Sequence, residues 1–349
     1  MTPPPSGSGS LGWPETVIRA GAGLGWPPVS RETELGPASS TTALQTCEVR
    51  WVSGNAPKRN GAKPDSLTTT AASQPPHRRL PRPAETRVMV VANQKGGVGK
   101  TTTTVNIAAA LASQGLKLLV VDLDPQGNAS TALSIKHDEG VPSAYEVLID
   151  GIDIADVRAE CPHVPGLFVV PATIDLAGAE IELVSMVARE NRLRRALDAH
   201  LLALSLAGQR YDYVLIDCPP SLGLLTVNAL TAGREMLIPI QCEYYALEGV
   251  SQLMRTLEQI REHLNPDLTV GAIVLTMFDG RTRLASQVAA EVRAHLGAQV
   301  LKTVIPRSVR ISEAPSHGQT VLTYDPGSSG AMCYLEAARE LASQAKEAP

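Results

Sequence analysis

The sequence predicts an α/β fold: a mostly parallel, twisted sheet of about seven to eight strands with helices on both faces. Three observations carry this. Short runs of Val, Ile and Leu, such as 88–92, 116–121, 213–216 and 270–276, alternate with longer stretches of helical period. The runs are apolar throughout, which suits strands buried on both sides of a parallel sheet. The first run passes through Gly96, Gly97, Val98 and Gly99 into Lys100, Thr101 and Thr102, a glycine turn between a strand and a helix.

That turn has a chemical meaning. Glycines let backbone N–H groups close around a phosphate, and the helix that follows aims its N-terminal dipole at the same anion. Lys100 supplies a cation for terminal phosphates, and Thr101 a hydroxyl for Mg²⁺. Strand, loop, Gly-Lys-Thr and helix in this order mark a P-loop NTPase. The pattern departs from the common form at its start, where Gln94 replaces a glycine and a second lysine, Lys95, stands at the loop mouth. Two lysines exceed what one nucleotide's β/γ-phosphates require from one chain. Lys95 is therefore read as reaching a nucleotide held by a second subunit.

The rest follows in chain order. Residues 1–86 hold half of the 26 prolines, many Ser, Thr and Gly, and all three tryptophans, Trp13, Trp26 and Trp51. They show no sustained period of 2 or 3.6 and are read as a disordered tail. The tail has nine Lys/Arg against six Asp/Glu, so the formal net charge of -4 leaves 87–349 acidic. No basic start followed by an apolar core suggests a secretory signal, and no run is long enough to span a membrane. Five cysteines without a C-x-x-C spacing suggest neither a zinc site nor a disulfide framework, and point to a reducing cytosol.

Within 87–349, read as one domain, a helix at 100–114 stops at Gly115. The strand 116–121 then delivers Asp122 and Asp124 at its C-terminal end, where ligands bind in parallel α/β sheets. Carboxylates at i and i+2 of a strand point the same way. A short helix at 144–148, a strand at 167–171 and a long helical stretch at 176–206 come next. The basic face of that stretch, Arg189, Arg192, Arg194 and Arg195, is read as solvated. The strand 213–216 ends in Asp217, a carboxylate placed to hold Mg²⁺ through a water. Helix 226–230, strand 235–240, a helix to 263, strand 270–276, helix 282–296, strand 303–306 and a final amphipathic helix at 329–346 complete the domain.

Five motifs, KGGVGKTT, DLDPQGNAS, DCPPSLG, QCEYYALEG and PRSVRISEAPSHG, resemble the ParA/Soj branch of the ParA/MinD deviant Walker A ATPases. The resemblance covers about 260 residues, essentially the whole of 87–349. It implies an ATP- and Mg²⁺-dependent ATPase that partitions chromosomes or plasmids. ATP would drive a sandwich homodimer that binds double-stranded DNA without sequence preference, and a ParB-type partner would stimulate hydrolysis. By this resemblance the catalytic residues are Lys95, Lys100 and Asp124, with Asp124 positioning the attacking water. The nucleotide contacts are Lys95, Gly96, Gly97, Val98, Gly99, Lys100, Thr101, Thr102, Pro306 and Ser308, and the metal residues are Thr101, Asp122 and Asp217. Arg281 and Arg310 resemble the family's DNA-contacting arginines. The expected location is the cytoplasm, on the nucleoid, without stable membrane insertion. The alternative is a MinD-like ATPase acting at a membrane or on another cargo. The C-terminal CYLEAARELASQAKEAP, with Glu336, Glu340 and Glu347 against Arg339 and Lys346, is poor membrane bait.

Overall fold

A computed structural model describes residues 80–344, apart from Tyr245 and the side chains of Leu247 and Glu248. The tail up to 79, with its tryptophans and Arg78-Arg79, lies outside the described residues, as does the expected end of the last helix beyond 344.

Eight strands form one sheet: β1 (Arg87–Val91), β2 (Leu118–Asp122), β3 (Ala159–Glu160), β4 (Leu167–Val170), β5 (Tyr213–Asp217), β6 (Glu235–Gln241), β7 (Thr269–Phe278) and β8 (Val300–Pro306). Their order is β3-β4-β2-β5-β1-β6-β7-β8. Every pairing is parallel except β3 against β4 at the edge. The sequence reading missed β3, whose two residues, Ala159 and Glu160, carry no apolar run.

Because side chains alternate along a strand, each strand feeds two cores. Val88 and Val90 of β1 face one core, which also takes Leu193, Leu225 and Val250 from the helices Arg192–Leu206, Leu224–Ala232 and Ala246–His263. Met89 and Val91 face the other, beneath the helices Lys100–Ser113 and Ser329–Ser343. The run Ala108-Ala109-Ala110 is fully or almost fully buried, since small side chains let this helix lie between the sheet and a neighbouring helix. The Lys100–Ser113 helix ends where Gly115, at φ 88°, turns left-handed and donates its N–H to the Ala112 carbonyl.

Two readings change. The stretch 176–206 is two helices, Leu176–Ser185 and Arg192–Leu206, broken around Ala188 at φ 52°. Tertiary polar contacts hold the break. Asn228 Nδ2 donates to the Arg189 carbonyl (2.9 Å), and Asn228 Oδ1 accepts from Leu193 N (3.2 Å). Arg192 does not face solvent freely, because its guanidinium donates to the Leu148 and Ile149 carbonyls at 2.5 and 2.8 Å. The second change is at the tail boundary, where residues 80–86 pack on the domain. Arg210 donates to the Pro83 and Ala84 carbonyls, and Thr86 Oγ1 to the Tyr211 carbonyl (2.7 Å). These are mainly backbone contacts, which leave no hydrophobic period to read.

Candidate functional site

The parallel register places Asp217, at the end of β5, level with Val91 of β1 on one side and Asp122 of β2 on the other. The glycine loop leaves β1 beside these carboxylates. Gly97 and Gly99 have φ of 73° and 87°, in the left-handed region where a Cβ is strained. Gly99 caps the Lys100–Ser113 helix without a side-chain bond, so first-turn N–H groups are available to an anion.

The loop is anchored at both ends. Asn93 Nδ2 donates to the Pro239 carbonyl (2.8 Å), while Asn93 Oδ1 accepts from Lys95 N (3.0 Å). Thr276 Oγ1 donates to the Val98 carbonyl at 2.8 Å. Lys100 is buried, with Nζ 3.5 Å from the Lys95 carbonyl. Burial lowers the Lys100 pKa, opposed by the charges of Asp217 and Asp124.

Asp122 and Asp217 are fully buried. Asp217 accepts from Thr101 Oγ1 (2.7 Å) and Thr104 Oγ1 (2.8 Å). Asp122 accepts from Ser130 N (2.9 Å), Ser130 Oγ (2.8 Å) and Asp124 N (3.2 Å). Burial, reinforced by the neighbouring Asp122 charge, raises the Asp217 pKa to about 8. Burial raises Asp122 to about 6 against the hydrogen bonds from Ser130. Such a pair of buried, mutually repelling carboxylates beside a hydroxyl suits a hard divalent cation. Among the described residues no cluster of three or more His, Cys, Asp or Glu forms an all-protein metal cage.

Asp124 is 8% exposed at the rim, its Oδ1 accepting from Gln126 N (3.0 Å) and its carbonyl from Gly127 N (2.9 Å). Gly127, at φ 59°, is required there, since a Cβ would meet the His137 ring at 2.7 Å.

Pro306 and Ser308 line a cavity of about 150 Å³ with Gly99, Thr102, Met277 and Tyr334. Sequence reasoning missed Met277, whose φ of 51° no motif signals. It also missed Thr104 and Ser130, although each lies inside a quoted motif or beside one.

Arg281 and Arg310 follow β7 and β8, neighbouring strands tied at their ends by Arg307 N donating to the Phe278 carbonyl (3.1 Å). Both lie on one edge of the sheet, and each already has a carboxylate. Arg281 pairs with Asp279 (2.8 Å), and Arg310 with Glu313 (3.2 Å) and Asp325 (3.4 Å). Cys161, Cys218, Cys242 and Cys333 are buried thiols. Burial raises the Cys218 thiol well above its ordinary value, which makes it a poor nucleophile.

A parallel sheet with a lysine-bearing glycine loop at the end of β1, facing buried aspartates on β2 and β5, defines a P-loop ATPase. A family model described as an AAA domain (AAA_31) matches residues 86–270. The sporulation initiation inhibitor protein Soj of Bacillus subtilis is 53% identical over 256 residues, covering 73% of this chain and 98% of the relative. The chromosome partitioning protein ParA of Caulobacter vibrioides is 50% identical over 261 residues, covering 75% and 96%. The chain belongs to the ParA/Soj family of chromosome-partitioning ATPases. Among solved structures, the cobyrinic acid a,c-diamide synthase of Mycobacterium smegmatis with bound ADP and magnesium superposes with a TM-score of 0.60 at 39% identity, covering 72% of this chain and 92% of that one. The septum site-determining protein MinD of Pyrococcus horikoshii, complexed with Mg-ADP, gives a TM-score of 0.57 at 25% identity, covering 72% and 94%.

Proposed function

We propose that this chain is an ATP-driven DNA-partitioning switch, with ATP and Mg²⁺ bound at the glycine loop. The observation that carries the reading is the pair of lysines on one loop. Lys100 is buried toward the carboxylates, while Lys95 stands at the open mouth with its side chain 37% exposed. Lys100 and the N–H groups of Gly96 to Thr102 hold the β/γ-phosphates. Thr101, Asp122 and Asp217 hold the metal, which when bound neutralises charge on the phosphate oxygens. Asp124 orients the attacking water. Lys95 extends from one subunit to the nucleotide of the other, so the complete site exists only in a homodimer. The cavity beside Pro306 and Ser308 takes the base.

DNA binding follows from dimerisation by number. The domain is acidic overall, and Arg281 and Arg310 are partly neutralised in one chain. Two copies double the phosphates contacted, and affinity and its salt dependence grow with that count. A ParB-type partner then stimulates hydrolysis and release, which places the protein in the cytoplasm on the nucleoid. Among the described residues no helix is long and apolar enough to cross a membrane. The C-terminal helix Ser329–Ser343 buries Tyr334, Ala338 and Leu341 in the core, leaving that face unavailable to lipid.

Co-sedimentation with double-stranded DNA in ATP, ADP or no nucleotide tests the reading. Wild type should pellet with DNA only in ATP. Lys95→Ala should bind ATP, remain monomeric and stay in the supernatant. Arg281→Ala with Arg310→Ala should dimerise but lose roughly tenfold or more in DNA affinity at low salt, on any sequence. Nucleotide-independent pelleting would sink the switch, and unchanged affinity in the double variant would move the DNA surface elsewhere.

A further inference from the structure

We infer that Glu243 is the positioning residue for Lys95. It holds the lysine within its own subunit until the partner's nucleotide draws it away. The inference rests on the trans role proposed for Lys95. Glu243 leaves the end of β6 in the turn before the Ala246–His263 helix, fixed by its own N–H to the Gln241 carbonyl (2.8 Å) and by Ala246 N to its carbonyl (2.9 Å). Its Oε2 meets Lys95 Nζ at 3.0 Å, and its Oε1 accepts from Gln241 Nε2. The Lys95 backbone is meanwhile pinned by Asn93 Oδ1, and Asn93 in turn by the Pro239 carbonyl of the same β6. Main chain and side chain of Lys95 are thus both referred to β6, and only the side chain is held by a bond that salt and solvent reach.

The strength of that bond suits the task. The two side chains are 37% and 49% exposed, and ion pairs so exposed are weak and screened. A buried pair would trap the lysine, and none at all would leave nothing to hold it back before the partner's phosphate is in place. A phosphate group in the partner subunit is a stronger acceptor for an ammonium than a half-solvated carboxylate. Moving Lys95 from Glu243 to the nucleotide then couples dimer formation to the presence of the terminal phosphate. Glu243 touches no nucleotide in this scheme and acts through Lys95.

The test uses the full chain and two readouts. Pulse acylation of lysines, read at Lys95 by mass spectrometry without nucleotide, reports how well Nζ is held. Sedimentation in ATP reports the protein concentration for half-dimerisation. Glu243→Gln, which keeps the shape and an acceptor for Gln241, should raise Lys95 labelling severalfold and lower the half-dimerisation concentration about two- to fivefold per site. In wild type, labelling of Lys95 should rise with salt, and in about 0.5 M salt the two proteins should converge. Wild-type labelling and dimerisation in Glu243→Gln, or labelling of wild-type Lys95 that ignores salt, would overturn the inference. The reading beneath it fails separately, if Lys95→Ala forms a normal ATP-dependent dimer.

Discussion

The two ends of the same central strands treat charge in opposite ways. At the N-terminal end, Arg87 of β1 meets Glu235 of β6 at 2.8 and 2.5 Å and donates to the Leu341 carbonyl, closing the sheet against the last helix. Asp212, buried just before β5, accepts from Lys117 N (2.8 Å) with Arg210 and Arg82 within 3.8 and 3.9 Å. Opposite charges are matched there. At the C-terminal end, Asp124 and Asp217 act on Lys100, the one buried lysine or arginine among the described residues, and Asp122 lies level with Asp217 on the neighbouring strand. The matched end holds the fold together, and the mismatched end is shaped for charges that arrive from outside.

The largest expected effect is at the mismatched end. Lys100→Ala should lower ATP affinity at least about 100-fold, since the phosphates lose their buried cation and face three carboxylates. Titration with a fluorescent ATP analogue checks it, and wild-type affinity would remove the loop from nucleotide binding. A paired experiment sharpens the contrast. Arg87→Ala, which strands Glu235 at a largely buried site, should cost about 2 kcal/mol of stability. Asp217→Asn, which at pH 8 and above relieves repulsion between the two carboxylates, should there raise the melting temperature of the nucleotide-free protein by about 2–5 °C while abolishing Mg²⁺-dependent hydrolysis. If both substitutions destabilise equally, the two ends do not differ as described.

The smallest effect is in pH. Asp122 and Asp217 keep their protons to about 6 and about 8, against a carboxylate value of 3.8. Between those values the folded chain binds more protons than the unfolded one, so this contribution to stability falls as pH rises from about 4 to about 8. Without nucleotide, wild type should lose roughly 0.5 M in urea midpoint relative to Asp217→Asn between pH 6 and pH 8. Comparing the two proteins cancels other groups, such as buried His200, whose lowered pKa acts with the opposite sign. Parallel pH profiles would mean the carboxylates are not coupled as the structure places them.

Much of this was legible in the residues. The strands of the central sheet announce themselves as apolar runs; Lys100 and Thr101 open the helix after the glycine loop, and Asp122, Asp124 and Asp217 lie at or just past strand ends. What stayed hidden depends on contacts distant in sequence. The break before Arg192 needs Asn228 and the carbonyls at 148 and 149. The seat of residues 80–86 needs Arg210 and Tyr211. The left-handed Met277 lies where the register of β7 against β8 shifts, between Leu275 and Phe278. Arg281 and Arg310 were picked out by resemblance; Asp279 and Glu313 stand two and three residues from them in the chain, and only the Asp325 partner of Arg310 is distant in sequence.

The sheet order also sets a schedule for synthesis. β1 and β2 are made first, yet they are not neighbours, because β5 lies between them. Until the chain has been made as far as Tyr213–Asp217, both strands lack a parallel partner along the edge that will face the gap. A ribosome-bound fragment ending near residue 200 would leave β1 without either neighbour, β5 or β6, and β2 with one open edge, a state prone to aggregation and to holdase binding. Pairing of β5 between β1 and β2 is therefore a long-range event of folding. The same event brings Asp217 beside Asp122, so no chain too short to form β5 can place these two buried carboxylates together.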